Sequence, residues 1–133
     1  MLRKQLNVIA IALLITLSSI AQAGPGCQKK VNLIVTASGA ARDISGRAEV
    51  RSDGARQRFK LSMDARVAAG TVYSVFANGV LASTVIIDAL GNGELELSNE
   101  NGRLLPASLN PVCAVSLVEV KDTNGVVVLY GSL

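Results

Sequence analysis

Glu94 and Glu96 stand two residues apart in Glu94-Leu95-Glu96-Leu97, a segment that alternates charged with apolar side chains. In an extended strand both carboxylates point the same way, about 7 Å apart, which is the separation an inverting glycosidase uses for its acid and base. Carboxylates alternating with leucines are also the ordinary solvent side of an amphipathic strand, and that reading is preferred. No catalytic residue is assigned. Just upstream, Asp88, Asn92 and Glu94 surround Gly91-Asn92-Gly93 and offer the oxygen ligands that calcium takes, though their spacing matches no EF-hand loop. Turn geometry already explains an Asn-Gly pair there.

A third group is cationic. Arg47, Arg51, Arg56, Arg58 and Lys60 gather around a single anion, Glu49. Such a patch could hold an anionic polymer, for example envelope lipid headgroups or extracellular nucleic acid, through phosphate contacts. The alternative is a solvated edge whose charges prevent sheets from joining. The chain has only four aromatic residues, Phe59, Tyr73, Phe76 and Tyr130, so the stacking platform of a single-strand binder or a sugar-binding module is missing.

Absences exclude more than these groups suggest. The 133 residues contain no histidine, which removes the usual general base, the commonest metal ligand and every Ser-His or Cys-His pair. There is no Gly-x-Ser-x-Gly, no phosphate-cradling glycine loop, and too few cysteines for a zinc site. The expectation is a non-enzymatic protein without a cofactor.

The elements that carry these residues read as hairpins. Asn78-Gly79, Asn92-Gly93, Asn101-Gly102, Asn124-Gly125 and Asp53-Gly54 punctuate runs of β-branched and apolar residues, and Asn, Asp and Gly best tolerate the positive φ of type I′ turns. With Asp53-Gly54 as a two-residue turn, Ala48 opposes Phe59, Val50 opposes Gln57, Glu49 opposes Arg58 and Arg47 opposes Lys60, leaving one face apolar. About Asn78-Gly79, Phe76 pairs with Leu81 and Val72 with Val85 on one side, Val75 with Ala82 and Tyr73 with Thr84 on the other. Both sides of that hairpin are largely apolar, which places it centrally or beneath a cover. A third hairpin about Asn124-Gly125 sets Val120 against Leu129 and Asp122 against Val127. Residues 99–111, with Pro106 and Asn110-Pro111, read as the longest irregular connection, running mostly over the surface.

Val31, Leu33 and Val35 alternate in a first strand, with Ile34 on its polar side. About eight strands follow in all, and no helical period appears after residue 23. The fold expected is all-β, a small antiparallel β-sandwich or barrel, as one domain over residues 24–133.

The N-terminus carries Arg3 and Lys4, an apolar stretch from Val8 to about Ile20, and Ala21-Gln22-Ala23, the pattern of a signal peptide cleaved after residue 23. The apolar stretch is shorter than the ~20 residues that span a bilayer. Its removal also takes two of the thirteen Lys and Arg, so eleven cations face ten anions in the remainder. Nine of those cations lie in residues 24–66, and six of the anions in residues 67–133. The expected setting is periplasmic or secreted, where Cys27 and Cys113, the only cysteines, read as a disulfide. That bridge would set the first strand beside the penultimate one.

The stretch from Ala69 to Gly79, followed by Asp88-Ala89-Leu90-Gly91-Asn92-Gly93-Glu94-Leu95, resembles a pattern in small bacterial exported all-β domains with no assigned activity. The resemblance implies a fold type and an envelope or secreted setting, and it carries no catalytic residue. The function expected is an exported structural or interaction module. The alternatives are a binder of anionic polymers or envelope lipids through the basic hairpin, and a self-assembling surface subunit.

Overall fold

Between Gln57 and Asp64 every second side chain is apolar, and Phe59, Leu61 and Met63 are all buried while their neighbours face outward. A period of two demands a strand with one wet face, and this segment supplies the centre of the first of two antiparallel sheets. The computed structural model describes residues 26–133; the expected signal peptide lies outside the described residues. The first sheet contains β1 (Cys27–Asn32), β3 (Ser45–Ser52), β4 (Gln57–Asp64) and β7 (Asn92–Ser98), in the order β1-β3-β4-β7. The second contains β2 (Ile34–Val35), β5 (Val72–Ala77), β6 (Val80–Ile86), β8 (Leu117–Lys121) and β9 (Val127–Ser132), in the order β2-β9-β8-β5-β6.

The fold is thus an all-β sandwich-like pair of sheets with nine strands, not a closed barrel. The ninth strand arises because the N-terminal run divides. Leu33 turns into the core, so β1 pairs with β3 in one sheet, and Ile34 and Val35 pair with Tyr130 and Leu129 in the other. A one-turn helix, α1 (Ala37–Ala40), follows, with Thr36 Oγ1 accepting the Gly39 N–H as N-cap.

The inner faces share one core. Ala48, Val50, Phe59 and Leu61 meet Tyr73, Val75, Val118, Val120 and Leu129, all fully buried. At one end of the first sheet Gly93 sits beside Met63, and a Cβ there would press on the side chains of Val85 and Ile87. The missing side chain lets the second sheet's residues touch the first sheet's backbone.

Three registers differ from the sequence expectation. In the first hairpin Ala48 opposes Leu61, Val50 opposes Phe59, Glu49 opposes Lys60 and Arg47 opposes Ser62. The loop has four residues, Asp53 to Arg56, closed by Asp53 N–H to the Arg56 carbonyl and by Arg56 N–H to Asp53 Oδ1. A slip of two residues keeps every side chain on its face, so the apolar face survives the error. At Asn78-Gly79, whose φ angles of 50° and 82° suit a type I′ turn, Phe76 does oppose Leu81. A bulge at Ala82 then shifts the partners, so that Val75 meets Ser83, Tyr73 meets Val85 and Val72 meets Ile86. In the last hairpin Val120 opposes Leu129, but the extra residue Val128 makes Lys121, not Asp122, the partner of Val127.

The connection from residue 99 onward does more than run over the surface. It is built from short 3-10 turns at Glu100–Gly102, Ala107–Leu109 and Val112–Ala114, and Leu109 and Val112 are fully buried. The Val112 N–H bonds Gln57 Oε1 at 2.8 Å, and Ser108 Oγ reaches the Leu81 carbonyl at 3.4 Å. Most of residues 99–111 is exposed, as expected, but Leu105 and Leu109, with Val112 just beyond, need a dry side and close one end of the core.

Candidate functional site

The register determines which charges are neighbours. On the outer face of the first sheet, Lys30, Glu49, Lys60 and Glu96 form one row across all four strands. Gln28, Arg51, Arg58 and Ser98 form the next, and Asn32, Arg47, Ser62 and Glu94 the row on the other side. The expected patch of five cations around Glu49 is therefore altered. Arg56 leaves the strand for the turn, where its Nε and Nη2 contact Asp53 Oδ2 at 3.3 and 3.0 Å. β1 adds Lys30, and β7 lays Glu94 and Glu96 alongside, so the face alternates in sign.

Arg58 Nη1 lies 3.4 Å from Glu96 Oε1. Exposed pairs of this kind contribute little, about 0 to 1 kcal/mol, but they neutralise the field an anionic polymer would feel. One like-charge contact remains, because Arg51 and Arg58 are direct partners in the ladder. The backbone N–H of Arg56, then its guanidinium, holds the exposed Asp53 carboxyl below its ordinary value.

Glu94 and Glu96 share the outer face, as their spacing requires, but Glu96 is engaged by Arg58. Asp88, Asn92 and Glu94 line a trough of about 730 Å3, shared with Asn32, Arg47 and Asp64. Asp88 Oδ1 accepts N–H bonds from Leu90 and Asn92, both at 2.9 Å, so that oxygen serves the turn. Among the described residues no group of three or more His, Cys, Asp or Glu side chains is placed to hold a metal ion.

The outer face of the second sheet is different in kind. Its registers align Ile34, Tyr130, Glu119, Phe76 and Leu81 in one row across all five strands. Ile34 is 54% exposed, Leu81 52% and Tyr130 39%, with Ile86 exposed at the other end of β6. Lys121 follows Glu119 on the same side of β8, and its ammonium sits 4.2 Å from the centre of the Phe76 ring. No single hairpin reveals this row. Its members come from three segments far apart in the chain, β2 and the β5–β6 and β8–β9 hairpins, and the signal available to sequence reading was the two-sided apolar character of the β5–β6 hairpin.

Sequence reasoning also missed a repeated loop. In Asp88-Ala89-Leu90-Gly91-Asn92 and in Asp122-Thr123-Asn124-Gly125-Val126, the Asp Oδ1 accepts the N–H groups two and four residues on. The Asp N–H bonds the carbonyl of the fifth residue, and the glycine takes φ of 84° or 81°. An Asp three residues before a Gly was the readable cue. Asn78 was read only as a turn residue, yet its Oδ1 accepts from the Ser116 and Leu117 N–H groups at 2.8 and 3.1 Å, and its Nδ2 donates to the Ala114 carbonyl.

The cysteines are bridged. Cys27 begins β1, but Cys113 belongs to the 3-10 turn before β8, so the bridge ties the edge of the first sheet to the long connection. The first and penultimate strands are not neighbours; they lie in different sheets. No helix among the described residues is long and apolar enough to cross a membrane. No family model matches this chain, and no curated protein matches it in sequence.

Proposed function

We propose that this chain is an exported, non-enzymatic interaction module that works through the outer face of its five-stranded sheet. The observation that carries the reading is the row Ile34, Tyr130, Phe76 and Leu81, which leaves Ile34, Tyr130 and Leu81 exposed beside a half-buried Phe76 on the outside of a closed core. Clustered exposed apolar side chains are the ordinary mark of a surface that another molecule covers. Export is supported by the disulfide, which persists in oxidising compartments, and by the N-terminal sequence pattern. The lack of histidine and the engagement of Glu96 by Arg58 argue against acid-base catalysis on the charged face.

Site-specific photo-crosslinking in the exporting cell tests this. A photoreactive residue at Leu81 or Tyr130 should give covalent adducts, and one at Arg51 or Ser98 should give far fewer. Adducts from the charged face alone would overturn the reading. They would favour the anionic-polymer alternative, for which the Arg51–Arg58 opposition is the supporting observation, and retention on heparin would then fall steeply with salt.

A further inference from the structure

Asparagine is followed by glycine at residues 78, 92, 101 and 124, and such pairs carry a chemistry that the apolar face does not use. The glycine nitrogen can attack Cγ of the preceding carboxamide, since no Cβ hinders its approach. As the new C–N bond forms, the nitrogen gives its proton to water and the side-chain amide leaves as ammonia, closing a five-membered succinimide. Water then opens the ring at either carbonyl. The products are aspartate and, with the main chain rerouted through the side chain, isoaspartate. Which pair is free to react depends on what the fold does with each.

Asn78 is held most firmly. Its Oδ1 accepts the Ser116 and Leu117 N–H groups at 2.8 and 3.1 Å and its Nδ2 donates to the Ala114 carbonyl at 3.1 Å, so Cγ cannot turn toward Gly79 until these bonds open. Asn92 lies in β7 opposite Asp64, its carbonyl accepts the Asp88 N–H, and Gly93 is buried against Val85 and Ile87. Asn124 is exposed, but the Gly125 N–H donates to the Asp122 carbonyl at 3.0 Å, and Asp122 Oδ1 accepts the N–H groups of Asn124 and Val126. Asn101 differs from all three. It is exposed, as are Gly102 and Leu104 beside it, and its carboxamide has no hydrogen-bond partner among the described residues. A Cβ on Gly102 would meet nothing within 4 Å, and the short turn that carries the pair is closed by the Arg103 N–H on the Glu100 carbonyl at 3.1 Å.

We infer that Asn101 is a site of spontaneous covalent modification, converting to aspartate and isoaspartate in the folded protein while Asn78 and Asn92 are preserved. The modification is independent of the apolar face. Its effect falls on the charged sheet, because it sets a new carboxylate next to Glu100, which lines a cleft with Arg51, Arg56 and Arg58.

The test incubates the folded chain, disulfide intact, at mildly alkaline pH and follows amide loss at each asparagine by fragmentation mass spectrometry, with a reduced, denatured sample as reference. In the reference all four pairs should convert at similar rates, since each is followed by glycine. In the folded chain Asn101 should convert first, and Asn78 should be slower by about tenfold or more, because its hydrogen bonds must open before it reacts. Asn101→Gln should remove the first acidic species seen on isoelectric focusing, and Asn124→Gln should leave it in place. Conversion of the folded chain led by Asn78, Asn92 or Asn124, or an Asn101 slowed as much as Asn78, would overturn the proposal.

Discussion

The four strands of the first sheet carry ten charged residues, and the five strands of the second carry only Glu119 and Lys121. Both sheets turn their apolar inner faces to one shared core, with Val31, Leu95 and Leu97 of the first sheet's edge strands partly buried against it, so burial does not require the difference. What differs is how each sheet meets water. The first sheet's edges, β1 and β7, present Lys29 and Lys30 or Glu94 and Glu96, which discourage another strand from adding. The second sheet's edges are a two-residue strand and β6, whose sequence Val-Leu-Ala-Ser-Thr-Val-Ile has no charge and is blunted by a bulge and by Ser108. One sheet carries charge on both its outer face and its edges, and the other blunts only its edges and bears an apolar row on its face.

Breaking the comparison on the stability side should give the largest effect. Replacing Cys27 and Cys113 together with Ser frees a link between residues 86 apart, and chemical denaturation should show a loss of about 4 to 5 kcal/mol. Close to that, Phe59→Ala in the first sheet's buried face should cost about 4 kcal/mol in the same assay. Leu81→Ser on the second sheet's outer face should change monomer stability by less than about 0.5 kcal/mol, and its effect should appear in association instead. If Leu81→Ser unfolds the chain, the second face is structural and the contrast fails.

Asn78→Ala loses an acceptor for two backbone N–H groups and a residue suited to φ of 50°. About 2 kcal/mol should be lost, seen as a lower thermal midpoint with an unchanged crosslinking pattern at Tyr130. Tyr73→Phe should act in the opposite direction. Among the described residues nothing hydrogen-bonds the buried Tyr73 hydroxyl, so its removal should raise stability by about 1 kcal/mol.

The smallest effect belongs to the exposed turn of the first sheet. Asp53 has its folded pKa lowered from 3.8, so its carboxylate contributes stability above the unfolded value and loses it as pH falls through the lower folded one. Asp53→Asn should therefore narrow the stability gap between neutral and acid pH slightly, measured by thermal midpoints across that range. A wider gap would show that the Arg56 contact is not what holds the carboxylate charged.

Much of this was legible along the chain. Strict alternation in Gln57–Asp64 identified the buried set Phe59, Leu61 and Met63, and two cysteines in a chain whose N-terminal sequence reads as a signal peptide identified the bridge. The first hairpin's apolar face survived a wrong register because a slip of two residues preserves sidedness. The charged site did not survive so well, because cross-strand neighbours depend on the register itself. Glu49 moved from Arg58 to Lys60, and β7 brought carboxylates that no local pattern could place.

Periodicity and turn chemistry are local, and they are written in residues a few positions apart; from them alone the chain determined that it forms strands, where most of them turn, and which side chains leave water. Which strands became neighbours was decided only by closing the core. Leu33 had to leave β1 for the interior, Leu109 and Val112 had to cap one end, and the bulges at Ala82 and Val128 had to shift two ladders. Those adjustments answer to packing among residues distant in sequence. They set Ile34, Tyr130, Glu119, Phe76 and Leu81 in one row.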